Sequence, residues 1–77
     1  MTQEEVRTLK VGDLVSWKDP DTCEETIEIV TENGCEKGRI HVELRTIAIL
    51  YDPNNGASIG DEGFIHQYNC VCMEKVE

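Results

Sequence analysis

Along the chain, apolar and polar residues alternate in short runs bounded by turn residues, and they do not recur at helical spacing. Over residues 13–18, Val15 and Trp17 fall on one side and Leu14, Ser16 and Lys18 on the other, the period of a half-buried strand. Gly12-Asp13 precedes this run as a turn pair. Asp19-Pro20-Asp21 ends it, because proline lacks the N–H a sheet ladder needs. A second strand is expected over residues 23–31, rich in β-branched residues, with Ile27 and Ile29 inward and Glu28 outward. Glu32-Asn33-Gly34 reads as the hairpin turn, and residues 39–45 return from it with Ile40, Val42 and Leu44 on one face. In residues 46–51 the apolar side chains Ile47, Ile49 and Tyr51 take the opposite parity. Burying both sets on one face requires an inserted residue, so a bulge or bend is expected near Arg45-Thr46. Residues 64–73 finish the sheet as two short strands or one bent one.

The opening motif carries a resemblance. Lys10, Gly12, Asp13, Val15 and Trp17 fit the pattern Lys-x-Gly-Asp-x-Val-x-Trp, which resembles the first strand of SH3-like and KOW-type small barrels and the start of short bacterial proteins of unknown function. The stretch Ala48-Ile49-Leu50-Tyr51-Asp52-Pro53 is loosely similar to the Ala-Leu-Tyr-Asp-Tyr stretch of peptide-binding SH3 domains. Here it follows the tryptophan strand instead of preceding it, so proline-rich peptide binding is not carried over. Pattern and resemblance together predict an all-β domain, a small SH3-like barrel or a strongly bent antiparallel sheet of five or six strands. One domain is expected over residues 1–77, with an arm or short frayed helical turn at 1–8, a long polar loop at 52–63 and a frayed tail at 74–77. In the arm only Val6 and Leu9 could reach a core.

Length and charge narrow the function classes. A chain of 77 residues buries only about 60 % of its unfolded surface, so a metal or a second copy would be a useful support and a homodimer is plausible. Sixteen acidic residues against seven basic ones give a net charge of −9, which argues against nucleic-acid binding through phosphate neutralisation. Residues 19–36 concentrate the acids, with no base among them. No run is apolar enough to span a membrane, and Met1-Thr2-Gln3-Glu4-Glu5 does not resemble a secretory leader, so a cytoplasmic protein is expected.

Candidate chemistry is sparse. Cys23, Cys35, Cys70 and Cys72 could hold a zinc ion, but only Cys70 and Cys72 are close in sequence. Alternation on a strand would put that pair on one face. His66 precedes Cys70 by four residues, too far along a straight strand for a nucleophile and its base. No catalytic residue is assigned and no cofactor is expected. The preferred reading is a non-catalytic acidic module that binds another protein or itself, with Glu24, Glu25, Glu28, Asn54 and Asn55 as partner-binding candidates. A zinc-stabilised domain is the alternative. A third reading is an acidic nucleic-acid mimic that inhibits a DNA-binding protein.

Overall fold

In the structure, a computed structural model that describes residues 1–76, the turn before the tryptophan strand forms as the pattern predicts. Gly12 takes φ = +95°, a conformation that suits glycine. The Asp13 N–H donates to the Lys10 carbonyl at 2.9 Å, and the Asp13 carboxylate accepts from the Lys10 N–H at 2.9 Å. The chain then enters β1 (Leu14–Lys18), followed by β2 (Glu25–Asn33), β3 (Val42–Tyr51), β4 (Glu62–Ile65) and β5 (Met73–Val76), with a short helix α1 (Gln3–Arg7) before them. Among the described residues the five strands form one antiparallel sheet in the order β4-β3-β2-β1-β5.

The fold is therefore all-β, and the sheet is bent without closing. Adjacent strands lie about 4.8 Å apart, so a flat sheet would hold β4 and β5 roughly 19 Å from each other. Yet Ile65 of β4 and Met73 of β5 belong to the same buried core as Val15, Val30, Val42 and Leu44. The sheet must curl to bring its two edges over one core, and the edges do not pair. The curl has a local cause. Ile47 and Leu50 are extra residues on β3 where it pairs with β2, and Thr31 is an extra residue on β2. Bulges of this kind bend a strand and raise its twist. The expected irregularity near Arg45-Thr46 is thus present at Ile47, and it brings Ile49 opposite Thr26 on the core side.

β2 corrects the expected parity. Val15 pairs with Glu28 and Trp17 with Thr26, so the core face of β1 continues through Thr26, Glu28 and Val30, all buried. Ile27 and Ile29 lie half-buried on the opposite face. A strand's side chains alternate strictly, so fixing one residue of the register fixes them all.

The hairpin between β2 and β3 is found, but its tip is displaced from Asn33-Gly34. The chain reverses at Glu36–Arg39, which exchange two backbone hydrogen bonds of 3.0 Å, with Gly38 at φ = +77°. Asn33 has another task. Its amide donates to the carbonyls of Leu9 at 2.8 Å, Arg7 at 3.3 Å and Val6 at 3.5 Å, and its Oδ1 accepts from the Cys35 N–H at 3.0 Å. The side chain therefore ties β2 to carbonyls at and just beyond the C-terminal end of α1. Asn33→Ala is expected to lower stability by about 1–3 kcal/mol in chemical denaturation, and a change below about 0.5 kcal/mol would overturn the clamp.

Both termini are better anchored than the sequence suggests. Of the two alternatives for the N-terminus the helical turn forms, as α1 capped by Thr2 and Thr8: Thr2 and Glu5 make a reciprocal capping box, and Val6 and Leu9 are buried in the core as expected. The Met1 ammonium donates to the Met73 carbonyl at 2.7 Å. Residues 74–76, expected to fray, are strand β5 paired with β1; Glu77 lies outside the described residues. Cys70 and Cys72, expected on a strand, sit in a 3-10 turn (Cys70–Cys72). No helix among the described residues is long and apolar enough to cross a membrane.

Candidate functional site

The inversion of β2 places a carboxylate where an aliphatic side chain would ordinarily stand. Glu28 is 8 % exposed. Its Oε1 accepts from the Thr46 hydroxyl at 3.1 Å, across the β2–β3 ladder. Its Oε2 is fully buried and has no hydrogen-bond partner among the described residues. Leaving such a group unpaired costs about 1–3 kcal/mol or more, so the position is poor for stability alone.

Glu28 lies against a cavity of about 160 Å³ lined also by Trp17, Leu44, Gly63, Phe64, Asn69 and Met73. These residues come from β1, β3, β4, β5 and the segment between β4 and β5, so the cavity occupies the seam that the bent sheet leaves open. Gly63 pairs with Leu44 and therefore faces inward, and a Cβ added there would meet no atom within 4 Å. A glycine inside a strand is a place where something else can approach the backbone. Asn69 holds the far wall: its Oδ1 accepts from the His66 N–H at 2.8 Å, and its amide donates to the Phe64 carbonyl at 3.1 Å.

Outside the cavity runs a ladder of rings. His41 and Phe64 have centroids 5.3 Å apart, Phe64 and His66 5.6 Å, and His66 and Tyr68 5.8 Å. Phe64 is 51 % exposed and Tyr68 79 %. Phe64 lies on β4, an edge strand with its outer side unpaired among the described residues; His66 and Tyr68 continue just past its end, and His41 stands just before β3. Phe64, His66 and Tyr68 recur at every second position, a signal that was open to sequence reading and was absorbed into the expected end of the sheet.

Two groups of acids crowd the surface. Glu32 and Glu43 are cross-strand partners on β2 and β3, and a hydrogen bond with Glu32 together with its charge holds Glu43 above the ordinary glutamate range. Glu24 is also raised, first by desolvation and then by the charges of Asp52 and Asp19. Glu5 is lowered by its hydrogen bonds with Thr2. A raised carboxylate binds its proton more tightly in the folded chain than in the unfolded one. Its contribution to stability therefore falls as pH rises from the ordinary glutamate value through the raised one. Glu43→Gln is expected to raise the melting temperature above that window and to flatten the pH dependence within it; an unchanged pH profile would contradict the pairing.

The predicted partner-binding residues divide. Glu24 and the loop carrying Asn54 and Asn55 lie at one end, where the Asp52 carboxylate accepts from the N–H groups of Gly56 at 3.1 Å and Ala57 at 3.0 Å. Asn55 has φ = +53°. Glu25 lines a separate groove of about 540 Å³ with Lys18, Cys23, Cys72 and Glu74. Glu28 is inside, contrary to its expected outward position. The four thiols do not gather as a zinc site. Cys23 and Cys72 border that same groove, Cys35 accepts from the His41 N–H at 3.4 Å, and Cys70 is buried in the core. No three His, Cys, Asp or Glu side chains form a metal-holding group among the described residues. No family model, curated protein or solved structure matches this chain.

Proposed function

We propose that the chain is a non-catalytic, acidic protein-binding module that captures a basic or aromatic segment of a partner along β4. The observation that carries this is the ring ladder His41, Phe64, His66 and Tyr68, with Phe64 and Tyr68 exposed and Phe64 on β4, an edge strand whose outer side has no partner among the described residues. Exposed aromatic side chains supply large contact area at small entropic cost, and interface hot spots are enriched in them. The unpaired edge offers backbone donors and acceptors to an incoming extended segment. Glu43 and Glu62 stand opposite Phe64 and Arg45 on the same two strands, and the net charge of −9 selects against acidic partners. The setting proposed for it is the cytoplasm, where its four thiols stay reduced.

The test is a random-peptide selection against the purified domain, with the best peptides mapped by amide chemical shifts. The reading expects shifts along residues 62–68, affinity that weakens as salt rises, and a loss of about tenfold or more in Phe64→Ala/Tyr68→Ala. Peptides that bind with that double variant unaffected would sink the reading. A concentration-dependent dimer broken by the same double variant would make the partner a second copy of this chain.

A further inference from the structure

We infer that the cavity at the open β4–β5 seam is a binding site for one protonated alkylammonium group carrying an N–H, the head of a lysine side chain from the partner protein. The inference rests on the protein-binding reading and names the group that the site would take.

The buried floor of the cavity decides the charge of its occupant. Glu28 lines the cavity and is more than nine-tenths buried, and its Oε2 is satisfied by no group among the described residues. Neither of the ion pairs found among the described residues, Arg45–Glu62 and Lys75–Asp13, involves it. A cation with a donor is the complement, since it supplies both the opposite charge and the missing hydrogen bond.

The geometry then selects among cations. Glu28 Oε1 already accepts from the Thr46 hydroxyl, so one oxygen remains. A guanidinium makes its best pair as a fork on two free oxygens, whereas an ammonium acts as a point charge with a single N–H. A quaternary ammonium has no N–H to offer and would leave Oε2 unsatisfied. Trp17, Leu44 and Met73 line the walls, which suits the methylene stem that lysine buries while its head seeks a partner. The indole of Trp17 also favours a neighbouring cation. Gly63 leaves room in the lining, because its position carries no side chain and a Cβ there would meet no atom within 4 Å.

The experiment is an NMR titration of the labelled full chain with Nα-acetyl-lysine amide, run beside its Nε-acetyl and Nε-trimethyl forms and Nα-acetyl-arginine amide. Saturable shifts are expected at the Trp17 indole N–H and the Gly63 and Asn69 amides. Affinity is expected to fall about tenfold or more for the neutral Nε-acetyl form, and to be weaker for the trimethyl and arginine forms. Glu28→Gln should remove the preference for the charged ligand, and Gly63→Val should block the site without strain. Should Glu28→Gln fail to fold, the comparison of ligands and Gly63→Val still decide. No saturable change at these three residues, or equal affinity for the free and Nε-acetyl forms, overturns the inference. Equal affinity for the trimethyl form overturns the requirement for an N–H. Selected peptides that depend on Phe64 and Tyr68 but bind Gly63→Val unchanged would leave the module reading standing and overturn the lysine site. If Phe64→Ala/Tyr68→Ala leaves peptide binding intact, the ladder reading falls, and the lysine titration still judges the cavity by itself.

Discussion

Ile65→Ala is expected to cost about 2–5 kcal/mol of folding stability, the range for truncating a fully buried isoleucine, and in a domain of this size that loss unfolds much of the population. Ile65 is completely buried at the end of β4 and stands opposite Val42 on β3. β4 has only four residues and pairs on one side. Its position therefore depends on this one side chain more than on its ladder. Cores of chains this short supply only about 3–5 kcal/mol net, so little reserve remains. Urea denaturation should show a large drop for Ile65→Ala and almost none for Val71→Ala, where the side chain is exposed in the 3-10 turn. A loss below about 1 kcal/mol for Ile65→Ala would mean that β4 is held by something other than the core. Because Phe64 precedes Ile65, the same substitution should also release the ring ladder and weaken partner binding before the rest of the sheet melts.

The second large effect has the opposite sign. Replacing Glu28 with leucine and Thr46 with valine together should stabilise the domain by about 1–3 kcal/mol, because a buried polar pair exchanged for apolar residues of similar size is neutral or favourable. Both partners must change, since removing Glu28 alone strands the Thr46 hydroxyl that now donates to it. For a domain of this length the gain corresponds to roughly 4–8 °C in melting temperature per kcal/mol. Lysine binding at the seam should vanish in the same protein. A more stable chain that has lost its ligand is what a functional carboxylate predicts, as activity and stability trade against each other at such positions. A destabilised double variant would show that Glu28 serves the fold.

The candidate site was only partly legible from the residues. Its tryptophan falls on the core face of β1 as the pattern predicts, whereas the loop expected over residues 52–63 ends earlier, because Glu62 and Gly63 open β4. Glu28 was misplaced because Ile27-Glu28-Ile29, taken alone, has one sensible reading: two isoleucines in and the acid out. The Phe64, His66 and Tyr68 repeat has a period of two that the sequence displays, but Gly63 reads as the end of a loop until the structure sets it in β4. Neither reveals that β4 closes over the same space as β5.

Local rules determined the strand pattern of β1, the turn at Gly12-Asp13, the reversal between β2 and β3 and the bulge near Thr46, because each depends on neighbours a few residues apart. Charge likewise follows from composition alone. Only the tertiary structure decided which face of β2 is covered, since Ile27 and Ile29 are as apolar as Val30 and either parity buries aliphatic side chains. The choice came from register: Val15 stands opposite Glu28, and Glu28 opposite Thr46. Alternation then carried the acid into the core, where its second oxygen is buried without a partner among the described residues.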